Sequence, residues 1–272
     1  MQEGSPYVLG TNPAEQQRLK QQSLVWAQES SWLLDQVGIQ PGWRVIDVGC
    51  GPQGVLDLLS ARVGPKGSVV GLEQNPEHAR LAAEFCRDSG LGNVTISNAD
   101  VTSSEVPGDS FDLVHERAVL VNVPDPGAIL KAMISLARPG AVIACDDIDQ
   151  SSRICEPPNP AWDLLNGLIL ELWRRNGADP FFARRLWGMM RGSGLKDVKV
   201  RLRAPEFWDL EHPRRFQILT FVDNLQEPML ASGLIGRDEL DRQKVALRHH
   251  LEDPETIAVS GLNYQVWARK PS

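Results

Sequence analysis

Gly49, Gly51 and Gly54 stand in G-x-G-x-x-G spacing within VIDVGCGPQG, residues 45–54. Glycines so spaced let a chain turn tightly from a strand into a helix. They also bring backbone close to a nucleotide-type ligand. The helix N-terminus behind such a turn attracts anions. Asp47, two residues before the first glycine, cuts across that pattern, because its carboxylate would repel a pyrophosphate. The conflict disappears for a nucleoside ligand that carries positive charge instead of phosphate.

Two further acids extend the argument. Glu73 closes the run SVVGLE. An ionised carboxylate has two acceptor oxygens, enough for both hydroxyls of a ribose, and this feature suits NAD equally well. Gln74 follows it at the same lip. Asp100, in NADV, ends a third run, where it can accept from an adenine amino group while the Val101 N–H donates to a ring nitrogen. S-adenosylmethionine (SAM) fits all three acids. It has no phosphate, it offers an ammonium and a sulfonium to Asp47, and its carboxylate suits the helix N-terminus.

Other residues have the types that chemistry needs. His115 and Glu116 end FDLVHE and are the leading general-base candidates. Side chains alternate along a strand, so one of the two is expected to face a pocket. Asp146, Asp147 and Asp149 could supply oxygens to a divalent cation. Helix capping or orientation of an acceptor is the better reading, and no metal is expected. Tyr7, one of two tyrosines, lies in YVLG, as part of either a lid over the cofactor or an anchored tail. His249 and His250, in RDELDRQKVALRHHLED, read as solvated surface. Trp26, Trp32, Trp162, Trp173 and Trp208 fall outside the expected sheet. They are expected mostly as core, with room for one or two to face an acceptor.

The elements that must position these residues alternate. A helical pattern from Pro13 runs through Leu19, Trp26, Leu33, Leu34 and Val37 to Gly38. Strands follow at 45–48, 68–73, 94 to near 100, 111–116 and, after a break at Gly140, 141–147. Helices are expected between them, with Asn75–Pro76 as one start. Five alternations imply an α/β, doubly wound, mainly parallel sheet. Later, 161–176 and 181–191 read as helices, 195–202 as a strand, 212–252 as largely helical and 263–270 as a closing strand. The chain divides into 1–40, lid and cap helix; 41–150, the nucleoside-binding core; and 151–272, the rest of the sheet with cap insertions at about 150–180 and 205–257.

Bulk properties narrow the partners. The 272 residues are 42% apolar, and the net charge is -7. No long basic run marks a nucleic-acid face. The opening residues have neither signal-peptide nor membrane-span character. Cys50, Cys86, Cys145 and Cys155 form no C-x-x-C pair, as expected of reduced, buried thiols in a cytoplasmic protein.

On VIDVGCGPQG, VGLEQNPE, NADV and FDLVHERAVLVNVPDPGAILKAMISLARPGAVI, the sequence resembles the class I SAM-dependent methyltransferases over residues 40–147. YVLG followed by a helix is similar to a small-molecule, natural-product subgroup. The resemblance implies a seven-stranded Rossmann-like sheet with the last strand antiparallel. It implies a SAM pocket of Tyr7, Asp47, Gly49, Cys50, Gly51, Gly54, Glu73, Gln74, Asp100 and Val101, with Glu116 and Arg117 at the methionine end or the acceptor. Relatives often carry histidine where Asn122 stands, so that role does not transfer. The expected activity is methylation of an aromatic or heteroaromatic metabolite at O, N or C. A catalytically inactive SAM-binding subunit and a nicotinamide-dependent oxidoreductase remain the alternatives. The expected partner is a small acceptor, without nucleic acid or membrane, and a homodimer is left open.

Overall fold

The computed structural model describes residues 13–212 and 214–272. Tyr7 and the YVLG segment lie outside them. The central sheet contains β1 (Arg44–Val48), β2 (Ser68–Glu73), β3 (Val94–Asn98), β4 (Phe111–Arg117), β5 (Ala137–Asp149), β7 (Lys196–Arg203) and β10 (Leu262–Arg269). Its order is β3-β2-β1-β4-β5-β10-β7. The first five strands pair in parallel, and β10 runs antiparallel to both β5 and β7. Strand order reverses between β1 and β4, which is where ligands enter open α/β sheets.

The inner parallel strands β1, β2, β4 and β5 are largely buried on both faces and read as mainly apolar runs, whereas the edge strand β3 is partly exposed. Ile46, Val48, Val114, Ile143 and Val266 pack on one face with α5 (Pro126–Leu136) and α7 (Ala183–Gly192). Val45, Val69, Leu113 and Ala144 pack on the other with α2 (Ala27–Val37), α3 (Leu56–Val63) and α4 (Pro76–Asp88). All four cysteines are buried free thiols. The starts of α4, α5 and α6 (Pro160–Arg175) share one device: Asn75, Asp125 or Asn159 accepts from the first-turn amides, and proline follows. Proline lacks the N–H that a helix start would leave unpaired.

Over the sheet's C-terminal edge sits a cap with its own core. Trp162, Leu165, Ile169 and Trp173 of α6 pack against Phe221, Val222 and Met229 of α8 (Gln217–Ala231) and Leu240, Leu247 and Leu251 of α9 (Arg237–Glu252). Trp173 meets Phe221 edge to face, with centroids 5.9 Å apart. No helix among the described residues is long and apolar enough to cross a membrane.

Three features depart from the sequence expectation. The single helix from Pro13 is two, α1 (Pro13–Val25) and α2, broken at Trp26, whose φ is -89° and ψ 1°. Gly140 does not precede β5 but lies inside it, at φ 78°, where the register against β4 shifts. Such a bulge adds residues to one strand without ending it. A second sheet, β6 (Ile154–Glu156), β9 (Ile257–Val259) and β8 (Glu206–Phe207), was not expected. Strands of two or three residues are too short to display a period of two.

Candidate functional site

A cavity of about 480 Å³ opens between the strand ends and the cap, within the span of small-molecule pockets. Its sheet-side wall contains Asp47, Gly49, Cys50, Gly51, Gly54, Glu73, Gln74, Asp100, Val101 and Arg117. The structure thus gathers these ten predicted positions around one space. At Gly51, φ 58°, an added Cβ would meet nothing within 4 Å. The turn there is an open cradle against which a ligand can lie on bare backbone. At Gly54, φ 56°, a Cβ would strike the Cys50 carbonyl at 2.5 Å and Asp47 Oδ2 at 2.8 Å. Here glycine keeps the Asp47 carboxylate where it is.

Each acid is held differently. Asp47 is 2% exposed, and its Oδ1 accepts from His115 Nδ1 at 2.7 Å. Glu73 accepts from the Gly51 amide at 2.9 Å and the Asn75 amide at 2.8 Å. One carboxylate oxygen on each donor leaves further lone pairs for a ligand. It also ties the glycine turn to the start of α4. Asp100 Oδ1 accepts from the Thr102 amide and hydroxyl, both at 2.7 Å. The Cys50 thiol packs back against β2, so its backbone faces the cavity. Burial, then the Asp47 and Glu73 charges, push that thiol well up. Arg117 links the turn to the N-terminal helices. It donates to Gly54 O at 3.1 Å, Ser23 Oγ at 2.9 Å and Ser30 Oγ at 3.2 Å.

The two base candidates lie elsewhere. Neither His115 nor Glu116 reaches the cavity wall, and both are 0% exposed. His115 is linked to the cavity wall through its hydrogen bond to Asp47. Glu116 Oε2 accepts from the Val119 amide at 2.9 Å, and its Oε1 is buried without a partner. Burial raises its pKa to about 7. The expectation that one of the pair would face the pocket fails because both faces of β4 are covered, the Leu113 face by α2 and α3 and the Val114 face by α5 and α7. Glu116 therefore touches neither cofactor space nor acceptor space.

The three acids of β5 do not converge either. Asp146 Oδ2 accepts from Gln265 Nε2 at 3.3 Å and Ser30 Oγ at 3.4 Å. Asp147 accepts from the Val121 and Ile148 amides, and burial raises its pKa well above the ordinary range. Asp149 pairs with Arg184 at 2.6 Å. Of the tryptophans, Trp173 lines the cavity, Trp208 is 68% exposed, and Trp32 packs edge to face on Trp267.

The cap-side wall contains Arg18, Leu19, Gln22 and Ser23 of α1, Trp173 of α6, and Arg214, Gln217 and Phe221 at the start of α8. Apart from Trp173 as an open option, these were not singled out from sequence. Asn122 also lines the cavity, and its Oδ1 accepts from Trp173 Nε1 at 2.9 Å.

Residues 39–173 match the family model described as a methyltransferase domain. This half of the chain is a methyltransferase domain, similar to the class I SAM-dependent methyltransferases. This methyltransferase domain includes β1 to β5 and every sheet-side residue above. The chain is 30% identical over 137 residues to a demethylmenaquinone methyltransferase from Listeria welshimeri, an overlap of 50% of this chain and 54% of that one. It therefore spans about half the length of the curated relatives it matches. A SAM dependent methyltransferase from Aquifex aeolicus shares the fold, with TM-score 0.54, 21% identity, and 72% and 92% of the two chains covered. So does a phosphoethanolamine N-methyltransferase from Haemonchus contortus, solved with phosphomonomethylethanolamine and S-adenosylhomocysteine (SAH): TM-score 0.56, 17% identity, 91% and 53% covered. SAM is the superfamily's cofactor, and the Gly51 cradle and the acids at three strand ends fit it.

Proposed function

We propose that the chain transfers a methyl group from SAM to a small acceptor carrying an aromatic or heteroaromatic ring, in natural-product metabolism. The observation that carries this reading is one cavity with two kinds of wall. Acids at three strand ends surround the glycine turn, and Trp173 and Phe221 stand on the cap side. Bound SAM supplies a methyl group on a sulfonium centre, electrophilic without further activation. Asp47, fixed by His115, would face its cationic end. Glu73 would accept from the ribose, and Asp100 with the Val101 amide would take the adenine.

The cap-side wall presents guanidinium, amide, hydroxyl and aromatic groups but, among the described residues, no carboxylate or imidazole. What this wall can contribute is orientation and exclusion of water, which convert an encounter into a near-attack geometry. Guanidinium groups nearby also favour the ionised form of an acidic acceptor such as a phenol, so a dedicated base is not required. The curated relative is named for demethylmenaquinone, a ring-bearing quinone, which supports a flat acceptor. The net charge of -7 weighs against nucleic acid.

The test is a radiolabelled-methyl survey against pooled aromatic metabolites, total RNA and cell protein. Label is expected in the small-molecule fraction. Label in RNA or protein alone would refute the assignment.

A further inference from the structure

Arg214 and Arg215 are neighbours in the chain, and both are buried, yet their donors are used in opposite ways. Arg215 is 1% exposed and donates to five carbonyls, those of Phe207, Trp208, Leu251, Asp253 and Thr256. It is committed to the fold. Arg214 is 6% exposed and lines the cavity, and its Nη1 is buried without a hydrogen-bond partner. Its guanidinium lies 5.3 Å from the ring centroid of Trp26, whose Nε1 is also buried without a partner. Two neighbouring donors thus lack an acceptor. A buried donor left unpaired costs about 1–3 kcal/mol, and more when charged. Arginine does not escape this by losing its proton.

The surrounding charges deepen the deficit. Arg18 and Arg117 line the same cavity. Arg153 and Arg18 each stand 5.1 Å from the Phe221 ring centroid. Arg18 is matched by Glu15, with Nε and Nη2 each 2.7 Å from a carboxylate oxygen, and Glu15 also accepts from Asn224. Arg153 donates to Gln150 and Asn166, while Asp149, the acid acting on it, is paired with Arg184. Arg117 feels Asp146 and Asp47. Among the described residues no carboxylate pairs with the Arg214 side chain. Burial, then Arg18, Arg153 and Arg117, hold it well below the usual arginine range.

We propose that the cap-side wall is an oxyanion subsite in which Arg214, with Arg18 beside it, receives a carboxylate or phosphate group of the methyl acceptor. The acceptor class is then a small aromatic acid or aryl phosphate. Its ring rests on Trp173 and Phe221, and its charge supplies the acceptor oxygens that Arg214 lacks. This rests on the methyltransferase reading and deepens it.

Calorimetry on the full chain saturated with SAH tests it, with 4-hydroxybenzoate, phenyl phosphate and neutral 4-hydroxybenzamide as probes. At least one anion is expected to bind about tenfold more tightly than the amide, and the two anion arms distinguish carboxylate from phosphate. Arg214→Gln should bring that ratio to within about twofold, and Arg214→Lys should keep part of it, with SAH affinity changed less than about threefold. Should the glutamine variant not fold, the wild-type ratio and the lysine variant still decide. Equal binding of the three probes, or no binding of either anion while SAH binds, overturns the subsite. Loss of SAH affinity in Arg214→Gln does so as well, by giving Arg214 to the cofactor's carboxylate. Failure of the wild-type protein to bind SAH overturns the underlying reading and the subsite with it.

Discussion

Glu73 has two tasks that a surface glutamate does not. It holds the amides of Gly51 and Asn75, and it faces the cavity with acceptor capacity left over. Glu73→Ala should weaken SAH binding by about 1–3 kcal/mol, through lost charge-assisted hydrogen bonds and a loosened turn. Calorimetry showing an unchanged Kd would count against the assigned pocket. Glu116 gives a prediction with a definite sign. In the unfolded chain its carboxyl ionises near pH 4.5, and in the native protein it keeps its proton to about 7. Between those values the folded state holds the extra proton. Its contribution is therefore complete below pH 4.5 and is lost as pH rises to 7, by on the order of 3 kcal/mol. Glu116→Gln should flatten this fall in urea midpoints between pH 5 and 8. Parallel pH profiles for the two proteins would sink the assignment. The sheet-side residues were legible because each sits at a strand end beside a local signal: a glycine spacing, an apolar run, an acid at its close. The orientation of His115 and Glu116 was not, because alternation separates two faces without saying that both are covered.

Among the elements, the cap depends on one side chain more than on any short strand. Arg215 ties the start of α8 to the end of α9, to β8 and to the approach to β9 through five carbonyls. Arg215→Met should destabilise the protein by at least about 3 kcal/mol, since several buried acceptors lose their donor together. Arg215→Lys should recover little, because an ammonium has three donors and no planar fork. Urea titration at constant m is the measurement, and a loss under roughly 1 kcal/mol would show that water replaces the guanidinium. Sequence periodicity located the long strands and helices within a few residues, since burial imposes 2 or 3.6 on any element long enough to repeat. It failed where tertiary packing sets the outcome: the break at Trp26, whose indole is 1% exposed under Arg214, the bulge that carries β5 through Gly140, and the three-stranded cap sheet. Arg18 and Arg214 failed to stand out for the same reason. Both look like solvated helix charges until α1 and α8 are brought together, and Glu15 to Asn224 joins residues 209 apart in sequence.

At the scale of the whole molecule, the cavity is the seam between two cores, with walls drawn from α1 near one end of the chain and α8 near the other. A ligand that occupies this seam must stabilise the native protein, because it meets nothing comparable in the unfolded chain. At a concentration about 100 times its Kd, such a ligand adds about 2.7 kcal/mol. For a chain of this size each kcal/mol moves Tm by roughly 2–4 °C, so SAH should raise Tm by roughly 5–10 °C. NAD should not, since Asp47 stands where its pyrophosphate would lie. The distribution of the effect is as informative as its size. Hydrogen exchange should slow in the glycine turn and at the start of α4 when SAH binds, and in α1 and at the start of α8 when an anionic acceptor is added, while α9, which contributes nothing to the cavity wall, stays unchanged. Protection of α1 and the start of α8 by SAH alone would mean that the cofactor reaches the cap-side wall and would take that wall from the acceptor. A rise in Tm with NAD and none with SAH would reverse the reading of Asp47 on which the ligand assignment stands.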